Sequence, residues 1–236
     1  MSVSNGPSIV TSGLVLSLDA GDRNSYVGSG TTWTDLSGNS NNGTLTNGPT
    51  FSSANGGNIV FDGTDDYTDC GNGSTLNFTT NSFSISTWVK TNAIGTTRFI
   101  TGKMNGAGIA SSIGYGLYLG NAGTLWSFAV WPGTSNLVVN TGLFVQTNTW
   151  VNLVGVRNVE SSLAILYTNG VQANAIATTA TNVSTAVPFI VGGITTSSTV
   201  GNRWDGSIAS TQVYNRALSA SEVLQNYNAT KTRFGL

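Results

Sequence analysis

The stretch Ser82-Phe83-Ser84-Ile85-Ser86-Thr87-Trp88-Val89-Lys90 places Phe83, Ile85, Thr87 and Val89 on one side of an extended chain. A period of two marks a β-strand with one face in a core, because successive side chains point to opposite faces of a sheet. Working outward, similar short runs recur at 14–18, 58–61, 98–101, 115–119, 125–131, 150–156, 163–167, 189–191 and 207–214, each closed by Gly, Asn or Asp. Asp62-Gly63, Asn169-Gly170 and Asp205-Gly206 read as turns between them, since Gly and, less readily, Asn and Asp reach positive φ at small cost. Short strands separated by such turns predict an all-β, two-sheet antiparallel sandwich. At 236 residues the chain can bury roughly three-quarters of its unfolded surface, enough for one generous core. No composition shift or linker divides it. The expected organisation is an N-terminal arm at 1–12, which orders on a partner, and a single domain at 13–236.

One helix is expected at the C-terminus, from Ala220 to about Asn228. Ser219-Ala220-Ser221-Glu222 fits a capping box, in which the Ser hydroxyl accepts from the Glu N–H while the Glu carboxylate reaches back. Leu218 and Val223 supply the hydrophobic staple, and Val223, Leu224 and Tyr227 a short apolar stripe.

Composition excludes several functions. Charged residues are 8% of the chain, against roughly 25% in an ordinary soluble domain. Solubility rests instead on 28 Ser, 33 Thr and 26 Asn. Nine cations cannot form a phosphate-tracking stripe, so no nucleic acid is expected as a partner. The absence of His removes the Ser-His-Asp and Cys-His arrangements and every His metal ligand. A single Cys70 permits neither an internal disulfide nor a cysteine zinc site, and with no cation nearby it reads as inert packing. Neither a cleavable secretion signal nor a membrane span is predicted.

Read in order, GLVLSLDAGDRNSY (13–26), TTWTDLSGNSNNGTLTNGPTF (31–51), NIVFDGTDDY (58–67), SFSISTWVK (82–90), WVNLVGVR (150–157), LYTNGV (166–171) and DGSIASTQVYNRALSASEVLQNYN (205–228) resemble the laminin-G-like, concanavalin A-like jelly-roll family. The resemblance implies a two-sheet jelly roll with one short C-terminal helix. The first stretch and the tail LSASEVLQNYNATKTRFGL (218–236) resemble bacteriophage virion proteins that carry this module alone, which implies a place on the virion. A non-enzymatic structural role follows, as a capsid decoration or head-fibre component docking on other virion subunits. The alternative is a lectin-like receptor-recognition module of a tail fibre or baseplate, which would bind cell-surface glycan. A homotrimer is expected by analogy with threefold phage fibres and decoration proteins.

The family also contains glycoside hydrolases, whose glucanases place Glu, Asp and Glu close together on one strand. This chain has two Glu: Glu160 in a polar turn and Glu222 in the helix cap. Catalysis is therefore not expected. The densest acidic run, Asp62-Gly63-Thr64-Asp65-Asp66-Tyr67-Thr68-Asp69, reads first as a pair of turns. Calcium is the metal its chemistry would suit, with Asp62 and Asp65 joined by Asp19 and Asp205. Relatives carry an Asp-Glu pair after the Ile of the penultimate strand, whereas Ile208 here is followed by Ala209 and Ser210. No cofactor is expected.

Sugar binding needs aromatic platforms beside amides. The candidates are Trp131, Trp204, Tyr118 and Asn121, with Tyr115, Trp126, Asn136 and Asn202 also in sequence reach. Trp126, Phe128 and Val130 share one strand face, so Trp131, beside Pro132, is the one expected to be exposed. Against this stands the usual burial of large aromatics, and Trp33, Trp88 and Trp150 read as core.

Overall fold

The computed structural model describes residues 7–106, 112–133, 137–196 and 199–236. In chain order the strands there are β1 (Leu14–Asp19), β2 (Thr32–Trp33), β3 (Gly43–Thr46), β4 (Thr50–Ser52), β5 (Asn58–Asp62), β6 (Tyr67–Asp69), β7 (Phe83–Thr91), β8 (Arg98–Asn105) and β9 (Ile113–Gly120). They continue as β10 (Leu125–Pro132), β11 (Leu137–Phe144), β12 (Val151–Asn158), β13 (Leu163–Thr168), β14 (Val171–Ala177), β15 (Ile190–Val191), β16 (Ile194–Thr196), β17 (Thr199–Gly201) and β18 (Asp205–Tyr214). A single α-helix, α1 (Ala220–Thr230), follows.

The first sheet has the order β14-β13-β12-β7-β18-β5-β4, with β1 beside the far half of β18, beyond the end of β5. The second has the order β11-β10-β9-β8-β15-β6-β3-β2, and β16–β17 form a separate hairpin. Pairing is antiparallel throughout the described ladders, as a two-sheet jelly roll requires. The alternation in β7 holds: Phe83, Ile85 and Val89 enter the core between the sheets, while Trp88 faces outward. Across the sandwich, Leu117, Leu119, Phe128 and Val130 meet them. Phe128 reaches the facing sheet because residue 155 is glycine; a Cβ there would lie 2.3 Å from the ring.

Both outer faces carry a further apolar layer. Over the first sheet, α1 covers Val154, Val156, Tyr167 and Tyr214 with Leu218 and Val223. Its start is the capping box read from the sequence: Ser219 Oγ accepts from Glu222 N at 3.3 Å and Ser219 N donates to the Glu222 carboxylate at 2.9 Å. Leu224, assigned to the stripe, instead points to solvent. Beyond the helix, Phe234 stacks on Trp88 at 4.0 Å and Trp150 joins them. Trp33, Trp88 and Trp150 are therefore buried, but only Trp33 lies between the sheets.

One turn read from the sequence is a strand in the structure. Asp205-Gly206 opens β18 rather than forming a turn, and Gly206 is required because a Cβ would lie 2.1 Å from Lys90 O. Within the expected arm, the part that lies in the described residues is tied to this chain's own helix. Val10 N donates to Asn226 Oδ1 at 2.8 Å, Gln225 Nε2 to Ser8 O at 2.8 Å, and Tyr214 Oη to Val10 O at 3.0 Å. These contacts make 8–12 a strap of the sandwich; 1–6 lie outside the described residues.

Candidate functional site

At one end of the sandwich the outermost strands of the two sheets, β11 and β14, approach each other, with Asn174 Nδ2 donating to Asn140 O at 3.0 Å. Beneath this junction lies a cleft of about 440 Å³. Trp126 of β10 forms its floor, Thr141, Gly142 and Phe144 of β11 one wall, and Val151, Thr168, Asn169 and Ala173 the other, with Gln146 and Thr149 closing the end. Trp126 is 5% exposed and braced from behind by Trp204, with ring centroids 6.1 Å apart. Phe144 is 73% exposed. Its neighbour Val145 turns inward and its N–H bonds Thr124 O at 2.9 Å, which fixes where the Phe144 ring emerges.

The opposite wall is set by the β13–β14 hairpin. Asn169 and Gly170 have φ of 50° and 79°, the left-handed pair that a two-residue hairpin needs. Asn169 Oδ1 accepts from Asn152 N at 2.9 Å, which leaves the amide NH₂ as the donating end of that side chain. The cleft thus combines aromatic surface with hydroxyl and amide groups, and no lining residue is charged.

Of the aromatic and amide candidates read from the sequence, Trp126 lies in this cleft and the other described ones lie elsewhere. Trp131 is on the outer face of its strand, as the alternation implied, but it is 0% exposed. The hairpin carrying Ile194 covers that face, and Trp131 packs there with Phe99 and Tyr118, whose rings stack at 4.8 Å. Tyr118 is 3% exposed, and burial pushes its phenol up to about 12. Trp204 is 0% exposed within the main core. None of these three can offer an open face to a sugar. Tyr115 is also buried, donating to Leu76 O at 2.9 Å. Asn121 is exposed in the β9–β10 turn at φ 48°, where its amide donates to Thr124 Oγ1 at 3.2 Å. Asn202 donates to Thr97 O, and Asn136 lies outside the described residues. Trp126, a candidate platform whose strand face also points to the core, belongs both to the core and to the cleft floor.

The proposed metal ligands fall in two places: Asp205 stands directly opposite Asp62 in the β5–β18 ladder, with Asp65 close to Asp62, while Asp19 lies apart. Asp62, Asp65 and Asp66 have carboxylate oxygens within 4.8 Å of one another. Their lone pairs serve the turn itself: Asp62 Oδ1 accepts from Thr64 N at 2.8 Å, and Asp66 Oδ2 from Asp62 N at 3.0 Å. Burial, with the two neighbouring carboxylates adding to it, raises the Asp66 carboxyl, whereas the Thr64 N–H holds Asp62 low. Asp205 bonds Asn92 Nδ2 at 3.1 Å and stands 4.0 Å from Arg98. Asp19 forms a bidentate pair with Arg233 at 2.8 and 2.9 Å. The expected four-residue set is not assembled whole: Asp205 adjoins Asp62 but accepts from the Asn92 amide, Asp19 lies apart with Arg233, and Asp66, not named as a ligand, joins Asp62 and Asp65.

Residues 62–224 match the Laminin_G_3 family, which is described as the Concanavalin A-like lectin/glucanases superfamily. The chain belongs to this superfamily. Among curated proteins no sequence matches. The lectin/glucanase fold is shared with several solved structures at low identity. The binding domain of Paraclostridial Mosquitocidal Protein 1 superposes with a TM-score of 0.70 at 18% identity, covering 92% of this chain and 52% of that one. Domain 4 of AbnA, an extracellular arabinanase from Geobacillus stearothermophilus in complex with arabinotriose, gives 0.66 at 20%, covering 91% and 98%. A CBM40 of a Ruminococcus gnavus sialidase bound to α2,3-sialyllactose gives 0.55 at 20%, covering 64% and 85%. The chain spans about half of the mosquitocidal binding domain and nearly all of the arabinanase domain.

Proposed function

We propose that this chain is a lectin-like module that binds carbohydrate without cleaving it, in the cleft between β11 and β14. The observation that carries the reading is the combination in one cleft of an exposed Phe144, a braced Trp126 and uncharged polar groups at the rim. Aromatic rings suit the C–H faces of sugars, while Asn169, Gln146 and the threonines can satisfy hydroxyls. The two resembling modules, an arabinanase domain in complex with arabinotriose and a sialidase CBM40 bound to α2,3-sialyllactose, support the ligand class. Hydrolysis needs carboxyl groups flanking the scissile bond, and no carboxyl lines the cleft. Glu222 is committed to Arg216 at 2.7 Å and to the helix cap, and Glu160 lies in an exposed turn.

A glycan array on the full chain tests this reading. Specific binding is expected, and Phe144→Ala should weaken it about fivefold, the worth of roughly 1 kcal/mol of aromatic contact, with no change in melting temperature. An array with no specific signal overturns it.

The setting we infer is a phage particle, on the resemblance of the first and last stretches to virion proteins. A single small cleft gives modest affinity, and display of homotrimers on a repeating surface would raise avidity with no new contact. A map of intact particles with this sandwich in threefold copies is expected; particles without it would sink the proposal.

A further inference from the structure

We propose that the cleft accepts the neutral end of a glycan, one or two rings deep, and rejects acidic sugars; this inference rests on the carbohydrate reading above. None of the ten residues lining the cleft carries a charge. The chain's nine cations lie outside it: Arg98 and Arg203 sit beside Asp205 and the Tyr67 ring at a separate cleft, and Arg23 lies on the exposed surface. Arg157 and Lys103 are buried, Arg216 and Arg233 are paired with Glu222 and Asp19, and Lys90 and Lys231 lie over the rings of Trp150 and Tyr227. The N-terminus of α1, whose free N–H groups could otherwise attract an anion, is closed by its own Ser219 and Glu222. A sialic or uronic acid carboxylate entering the cleft would therefore shed water against Trp126 and Phe144 with no cation to replace it, and an unpaired charge in an apolar site is costly. Neutral hydroxyls meet no such penalty, because the Asn169 amide donates and Gln146 both donates and accepts. Depth follows from volume: about 440 Å³ is in the lower part of the range for ligand pockets, roughly 300–1,000 Å³, which limits the buried portion to the terminal residues.

The test uses the full chain against matched pairs of glycans that differ only in a terminal sialic or uronic acid, with affinities measured by titration at two salt concentrations. Neutral members are expected to bind, and their acidic counterparts at least about tenfold more weakly, with no dependence of the neutral affinity on salt. Phe144→Ala, which changes an exposed side chain, should lose affinity for the neutral members. Acidic members binding as well as or better than neutral ones would overturn this inference and leave the carbohydrate reading standing. No binding by any member would overturn the carbohydrate reading itself. Neutral binding untouched by Phe144→Ala would place the sugar outside the cleft and overturn the assignment of the site.

Discussion

Lys103 is the residue whose place in the fold is least economical. It lies on β8, is 0% exposed and has the Asn72 side-chain carbonyl as its partner, with no carboxylate paired to it among the described residues. Desolvation lowers its amine from the ordinary 10.5 to about 8. Below pH 8 the amine is charged in both states, so folding bears the full cost of burying it. Between pH 8 and 10.5 the unfolded chain binds more protons than the folded one, so this group makes stability rise with pH, by up to about 1.4 kcal/mol per unit. Cys70, Tyr118 and Tyr214 act in the opposite direction, since burial raises each of them and folding holds them neutral while the unfolded groups ionise from about pH 9 to 10 upward. The expected outcome of urea unfolding is a stability gain from pH 8 to 9 that levels off and then reverses. Lys103→Met should remove that gain and raise stability at pH 7 by about 1–3 kcal/mol. A wild-type profile flat from pH 8 to 9 would show that the amine is solvated. Arg157 solves the same problem differently: it too lacks a carboxylate, but its guanidinium donates to Thr79, Thr179 and Thr181 carbonyls at 2.6–3.1 Å, tying two loops to β12.

Among elements, what the sequence made legible depended on whether one face was buried and the other not. All ten expected strands are present, and β7 and β10 show their alternation in the packing itself. Helix α1 was legible because its start is local chemistry: Ser219, Glu222, Leu218 and Val223 need only each other to mark it. Several of the missed strands lack such signals. β2 and β3 hold Trp33 and Leu45 in an otherwise polar run, too short for a period, and β14 is an exposed edge with polar and apolar residues on both sides. Trp131 failed for another reason. Its face was read correctly, but the covering hairpin β16–β17 is remote in sequence and has no pattern that announces what it covers. The cleft was illegible for the same cause, since it is made where the sheet edges β11 and β14 meet. Phe144, between Gly142 and Gln146, was the available clue: an aromatic beside inward-facing Val145 must point outward.

For the whole molecule, the arrangement of acidic residues argues that stability owes little to calcium. An ion bound tightly enough to matter would need six to eight oxygens, several from carboxylates. Of the residues able to supply them, Asp19 anchors the C-terminal tail through Arg233, whose remaining N–H groups bond the Asn55 and Gly57 carbonyls at 3.0 and 2.8 Å. Asp205 holds Asn92, so recruiting either one would break a contact between distant parts of the chain. The Asp62–Asp65–Asp66 turn is already held by its own N–H groups, and the Arg203 guanidinium, 4.6 Å above the Tyr67 ring, partly offsets its charge. The magnitude of the alternative is easily measured. A site with a dissociation constant near 10 μM, given 1 mM calcium, would stabilise the native state by about 2.7 kcal/mol, or roughly 5–10 °C for a chain of this length. We expect the melting temperature in 1 mM calcium and in excess chelator to agree within about 2 °C. A rise of 5 °C or more that disappears in Asp66→Asn would mean that the turn is a metal site and that its N–H bonds preorganise the carboxylates rather than occupy them.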